Sequence, residues 1–334
     1  MIKAMQSNVA ADVRRLERGG SPGIASLPRL LPRFGNWRRL CCAGVLVAAV
    51  LVVGSLRAET LTVATYNIEN YTAADRITEA GYRQDYPKPE AAKQALRSVL
   101  RALNADVLVL QEMGPRPYLE ELRRDLRAEG LDYPFASLLE AADDARHVAV
   151  LAKRPFKSVT PHTELDFKYF DGRERVKRGV LEVVLPTSTG DVTLWAVHLK
   201  SRFTDRPDDL NSALRRAGEA TAIRDLILKR HPDPQTARFA VLGDFNDGKT
   251  SRPIRAFLER GKTAIAEILP AADSRGEAWT RGYAKDDSYE RADFILVSPG
   301  LKPFVHGGAA RIFDRPETRA ASDHRPVVMV LEFK

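Results

Sequence analysis

The chain has 334 residues, 44% of them hydrophobic and 29% charged, an ordinary globular composition that excludes wholesale disorder and provides for a sizeable core. Its formal net charge of +8 invites a nucleic-acid reading, yet residues 1–58 hold nine Lys/Arg against two Asp/Glu, a balance of +7, which leaves the remainder near +1. The basic character therefore describes the N-terminal leader and says little about a nucleic-acid surface on the rest.

The first element in the chain is the charge-free, Val/Leu/Ala-rich run Leu40–Leu56, which follows Arg38-Arg39 and ends before Arg57-Ala58. That is the outline of a signal peptide cleaved near Ala58. About 17 apolar residues also just span a bilayer, so a retained anchor stays open, and the arginine pair admits a twin-arginine export signal. We expect residues 1–58 to be a leader, and the rest of the protein to be extracytoplasmic (periplasmic or secreted), or membrane-anchored if the leader is kept. Membrane contact is then expected only through this segment. Both cysteines, Cys41 and Cys42, lie here, so residues 59–334 carry neither disulfide nor thiolate chemistry.

From Glu59 to Lys334 no internal repeat, low-complexity tract or Gly/Ser linker divides the sequence, and we read it as one domain, expected to be a monomer. Short apolar, β-branched runs predict strands at Leu61–Tyr66, Asp106–Leu110, Val148–Ala152, Val180–Leu185, Val192–Val197, Phe239–Leu242, Phe294–Val297 and Pro326–Phe333, several buried on both faces. Helical spacing predicts helices over Pro89–Leu103, Tyr118–Leu126 and Asn211–Leu228. Numerous strands interspersed with helices point to an α/β architecture of two central sheets packed face to face with helices outside. Turn-rich, charged connections interrupt the pattern at Thr72–Lys88, His162–Lys177, Thr204–Leu210 and Ala271–Arg291.

Polar residues capable of chemistry sit where these strands end. Asn67, in Thr65-Tyr66-Asn67-Ile68, offers two donors and an acceptor without net charge, suited to a phosphate oxygen or a metal-bound water, though a strand-end Asn is also a common turn residue. Glu112 ends Asp106–Glu112, and a carboxylate is what a hard cation such as Mg²⁺ prefers. His198 closes Trp195–His198, where a structural histidine is the plainer reading. In Gly243-Asp244-Phe245-Asn246 the glycine is expected to let the chain turn while Asp and Asn point into one site; an Asx turn is the rival. Asp293 enters a strand, where carboxylates have poor propensity. Asp323-His324 supplies a carboxylate beside a titratable base, whose tautomer a neighbouring aspartate would fix and whose charged form it would favour.

The order of these pieces, T-Y-N-I, Q-E, H-L-K, G-D-F-N, R-x-D-F-I-L and S-D-H-R-P-V, resembles the endonuclease/exonuclease/phosphatase superfamily over essentially Glu59–Lys334. The resemblance implies a four-layered α/β sandwich with the site at the mouth between two mixed sheets. It implies a divalent-metal-dependent hydrolase of phosphodiester or phosphomonoester bonds, with Mg²⁺ the expected ion and Mn²⁺ or Ca²⁺ alternatives. Glu112 would be the principal metal ligand, with Asn67 and Asp323 close by. Asp244 would orient or deprotonate the water, Asn246 hold the phosphate, Asp293 pair with His324, and His198 contact a phosphoryl oxygen or assist the leaving group. Arg178 looks like a phosphate-contacting arginine, with a simple strand-edge charge as the rival. No acidic partner for His198 can be placed in the sequence, and Arg146-His147 reads as a surface pair.

The expected partner is a phosphate ester: nucleic acid cleaved by an extracytoplasmic nuclease, a lipid head group, or a small phosphoester. For lipid, Tyr169-Phe170 and Trp279 are the candidate exposed aromatics, with burial the plainer reading of each. A catalytically silent module that keeps the fold is the rival from another class. A complete set of unpaired acidic groups and histidines speaks against it.

Overall fold

The computed structural model describes residues 58–334 apart from 79 and 284; the leader and its apolar run lie outside the described residues. In chain order the sheet strands are β1 (Glu59–Tyr71), β2 (Val107–Met113), β3 (Phe135–Leu139), β4 (His147–Ala152), β5 (Ser158–His162), β6 (Val180–Leu185) and β7 (Val192–His198). They continue as β8 (Phe239–Asp244), β9 (Glu267–Ile268), β10 (Ala271–Ala272), β11 (Asp293–Val297), β12 (Ala310–Ile312) and β13 (Val327–Phe333). The helices are α1 (Glu90–Leu103), α2 (Arg116–Ala128), α3 (Ala213–Arg230), α4 (Arg252–Leu258) and the short α5 (Thr318–Ala321).

One sheet has seven strands in the order β10-β12-β13-β1-β2-β4-β3, the other six in the order β9-β11-β8-β7-β6-β5, and each mixes parallel and antiparallel pairs. Strand periodicity explains the layering, because successive side chains leave opposite faces. Val63, Val107, Val109 and Val150 meet Val183, Leu194, Ala196 and Leu242 in the core between the sheets. Their neighbours Ala64, Tyr66, Leu108 and Leu110 pack outward on Leu96, Val99 and Leu100 of α1 and Leu119 and Leu122 of α2. On the far side Trp195, Val197, Phe239 and Val241 pack on Ile223 and Ile227 of α3 and Phe257 of α4. The result is a four-layered α/β sandwich, helix on sheet on sheet on helix, with three cores filled from within the described residues. Strands buried on both faces need continuous apolar runs, as expected from the sequence.

Three connections read as turns contain two-stranded ribbons: Ala74–Thr78 with Gly81–Tyr86, Asp166–Tyr169 with Gly172–Arg175, and Arg281–Tyr283 with Ser288–Glu290. The third helix begins at Ala213, two residues later than expected, after a tight turn in which Asn211 and Ser212 adopt left-handed backbone. Asp209 governs this start: its carboxylate accepts the free N–H groups of Leu214 and Arg215, which a helix N-terminus leaves unpaired.

Candidate active site

Register alone brings the central residues together. β7 runs parallel to β8 with His198 opposite Asp244, and β11 runs antiparallel to β8 with Asp293 opposite Asp244. Three chemically competent side chains thus stand in a row across three strand ends. From the other sheet, Asn67 near the end of β1 donates its Nδ2 to Asp244 Oδ2 at 2.9 Å. His324, just ahead of β13, places Nδ1 2.7 Å from Asp293 Oδ2 and Nε2 3.9 Å from Asp244 Oδ2. Asn246 closes the group, its backbone N–H donating to Asp244 Oδ1 at 2.8 Å and its Nδ2 to Asp244 Oδ2 at 3.2 Å. Ser322, unmarked in the sequence, ties the layers: its Oγ donates to the carbonyl of Asn67 and accepts from the N–H of His324.

The backbone is bent to make this possible. Glu112 holds a left-handed φ of 63° at a break in register between β1's neighbour β2 and β4, and Glu69 and Asn70 do the same at the end of β1. A glutamate there costs on the order of 1–3 kcal/mol and persists only where the surroundings enforce it; here the N–H of Asn70 donates to Glu112 Oε2 at 2.8 Å. Gly243 differs from expectation. It lies inside β8 rather than in a turn, and a Cβ at that position would fall 1.9 Å from the carbonyl oxygen of Val197, so glycine is what lets β8 approach β7.

Burial pushes the Asp244 carboxyl up to about 6, Asp293 adds to the rise, and the His324 cation opposes it. For His324 burial works against the charge, but Asp293 and Asp244 outweigh it and raise the imidazole to about 10. Its charged form is therefore the favoured one at neutral pH. Burial, with Arg178, His324 and Arg146 nearby, holds His198 well below the usual histidine range and so neutral. No acid supports it: Nε2 is 3.6 Å from Asp244 Oδ2, and its buried Nδ1 has no partner among the described residues.

Arg178 is not a strand-edge charge. It is buried, paired to Asp143 at 3.0 Å, and donates to the carbonyl of Leu199, which also accepts from Asn246 Nδ2. Asp143 was invisible in the sequence because only folding sets it beside an arginine 35 residues away. Arg146 and His147 are not a surface pair either: Arg146 donates to Asn70 Oδ1 at 2.8 Å, and His147 is buried in β4. A cavity of about 450 Å³ opens beside this corner, lined by Arg146, Lys177, Arg178, Lys200, Ser201 and Phe203 among others. Burial and the nearby Arg178 lower the Lys200 ammonium to about 8. Tyr169 is buried, while Phe170 and Trp279 are half-buried.

The tightest group of ligating atoms among the described residues is Asp244, Asp293 and His324, within 4.8 Å of one another. Both Asp244 oxygens accept from the amides of Asn67 and Asn246 and Asp293 Oδ2 is bonded to His324, while the buried Asp293 Oδ1 has no partner among the described residues. Glu112 also has donor oxygen to offer a divalent cation. It is only part-buried, and among the described residues it accepts from the Asn70 N–H alone, which leaves an oxygen free. Asp323 is a third exposed, 3.5 Å from Arg281 and 3.9 Å from His324. Oxygen donors with room for water are what Mg²⁺ takes.

The sequence signature of the Endonuclease/Exonuclease/phosphatase family matches residues 64–324, from β1 to His324. The chain belongs to that family. Family members are metal-dependent phosphoesterases, among them nucleases, sphingomyelinases and phosphatases. Solved structures share the fold at low identity. The human Nocturnin catalytic domain with bound sulfate is 15% identical, with 83% of this chain and 98% of that one aligned at a TM-score of 0.57. A beta-toxin variant from Staphylococcus aureus with bound magnesium ions is 17% identical over 83% and 100% (TM-score 0.56). Sphingomyelinase C from Streptomyces griseocarneus is 16% identical over 83% and 100% (TM-score 0.54). No curated protein sequence matches the chain.

Proposed function

We propose that this domain hydrolyses phosphodiester or phosphomonoester bonds by in-line attack of water, with a divalent cation, Mg²⁺ first and Mn²⁺ or Ca²⁺ as alternatives. The observation that carries the reading is the buried row His198, Asp244 and Asp293, closed by His324 and held by two asparagine amides. A cation bound by Glu112, with Asp323 and Asn67 beside it, would neutralise charge on the phosphoryl oxygens.

The chain's own residues supply the rest. Asp244, raised to about 6, is ionised at neutral pH yet basic enough to take a proton from water, near the optimum for a general base. Asn67 and Asn246 fix its two oxygens, which aims the carboxylate. His324 keeps its proton, and with Asp293 bound to Nδ1 it presents a positive Nε2–H to the negative charge that grows on the phosphoryl group. Neutral His198 offers a contact to a phosphoryl oxygen, and Arg178 at the cavity wall offers one to a neighbouring phosphate. Water is the nucleophile, and no covalent intermediate is required.

Glu112→Gln tests the reading, because it removes charge at constant size. Turnover of a soluble chromogenic phosphodiester should fall by at least about a hundredfold with the fold kept, and a chelator should silence the wild type. Undiminished turnover in Glu112→Gln sinks the metal assignment.

A further inference from the structure

Among the described residues eight large hydrophobic side chains are exposed, and seven of them lie on three connections, the eighth being Leu214 just beyond the second. The first connection, residues 72–88, leaves the end of β1 beyond Asn67 and carries Ile77 (77% exposed) and Tyr82 (61%) on its ribbon. The second, residues 199–212, follows His198 and carries Phe203 (78%) and Leu210 (74%). The third, residues 279–291, runs into Asp293 and carries Tyr289. Strand direction sends all three from the end of the sandwich that holds the catalytic side chains. They are tied to it: Arg76 donates to the Asn70 carbonyl, Arg202 pairs with Glu290 across two connections, and Gly282 N–H donates to the carbonyl of Asp323.

A lone ribbon has little stability of its own in water, and Gly81–Tyr86 is exposed at every residue. Apolar groups gathered on one rim mark a contact surface. Charge identifies the contact, for each of the three connections carries three Lys/Arg against three Asp/Glu. A rim of zero net charge is a poor track for a polyanion, whose binding depends on cations that neutralise phosphates. Aliphatic Ile77 and Leu210 are not stacking platforms for bases either. Neutral charge, aliphatic tips and tyrosines with a wet end match the boundary of a zwitterionic bilayer.

We propose that the mouth of the site seats on a zwitterionic phospholipid surface through Ile77, Phe203 and Leu210, and that the ester hydrolysed is a head-group phosphoester presented at that surface. This rests on the hydrolase reading above. It adds a membrane contact made by the domain itself to the one expected of the leader.

The test uses residues 58–334, whose cores are self-contained, so that the leader's apolar run cannot bind lipid. Sedimentation with phosphatidylcholine vesicles should pull down the wild-type domain and should persist in high salt. The double variant Ile77→Ser, Leu210→Ser, both outside the cavity lining, should partition at least about tenfold more weakly, with turnover of the soluble chromogenic ester unchanged. A single Leu210→Ser should show a smaller loss in the same direction. Equal partition of wild type and double variant overturns the proposal. So does binding only to phosphatidylglycerol vesicles that salt abolishes, or salt-sensitive binding to DNA with none to phosphatidylcholine. Failure of the hydrolase reading shows elsewhere, as soluble-ester turnover that is absent or indifferent to Glu112→Gln.

Discussion

Asp293 opens β11 and His324 stands just ahead of β13, 31 residues on in sequence, yet the two buried side chains meet at 2.7 Å. A pair held that closely works as a unit. Asp293→Asn leaves the imidazole without the carboxylate that sustains its charge, and His324→Ala removes the charge itself. Each should lower turnover on the order of a thousandfold or more, and the double variant should be little worse than His324→Ala alone, because a unit loses nearly everything at its first removal. Turnover of all four proteins at one saturating Mg²⁺ concentration, with circular dichroism as a fold check, decides the matter. Losses that multiply would show two independent residues. At this scale every candidate residue named from the sequence stands at a strand end or beside one, because polar side chains that break buried apolar runs are easy to see. Asp143, Asn70 and Ser322 were not legible, since their roles come only from neighbours that the fold delivers.

Among the elements, the connection from β10 to β11 shows how a loop beside a site is fixed. Arg325, next to His324, pairs with buried Asp273 at 2.8 Å, donates to the carbonyl of Trp279 and lies 3.3 Å from that ring's centre. Burial works against the Asp273 charge, but Arg325 and the N–H groups of Glu277 and Arg275 outweigh it and hold the carboxyl well below its usual range. The folded state therefore binds this proton less readily than the unfolded chain. The resulting stability is present above the unfolded value, about 3.9, and is lost as pH falls through the folded one. Asp273→Asn should be less stable at neutral pH, and its deficit should shrink below about pH 4. Urea midpoints measured down to about pH 2 check this, and a deficit that stays constant with pH contradicts it. The same connection marks where reading the sequence stopped. Buried strands announce themselves by unbroken apolar runs: Val180–Leu185 matches its expected bounds to the residue, and the others differ by one or more residues at their ends. The ribbons in 72–88, 162–177 and 279–291 have polar, mostly exposed faces that read as turns.

For the whole molecule, the charge imbalance between residues 1–58 and the near-neutral remainder, with the apolar run Leu40–Leu56 after Arg38-Arg39, argues for export. A reporter that works only outside the cytoplasm, fused after Lys334, should be active; one active only inside would refute the reading. The four layers were legible because interspersed strands and helices leave few ways to bury both faces of two sheets.

The first and last strands of the domain lie side by side, Glu59 of β1 opposite Phe333 of β13, and Ser322 joins Asn67 across 255 residues of sequence. Synthesis runs in one direction, so a growing chain owns Asn67, Glu112, His198 and Asp244 long before it owns Asp323 or His324. Until the closing strand arrives, Asp293 has no imidazole to hold and β1 has a bare edge. The last segment of the domain therefore completes the site: a chain cut before Ser322 keeps Asn67, Glu112, His198 and Asp244 but lacks the imidazole that Asp293 holds and the strand that covers the edge of β1.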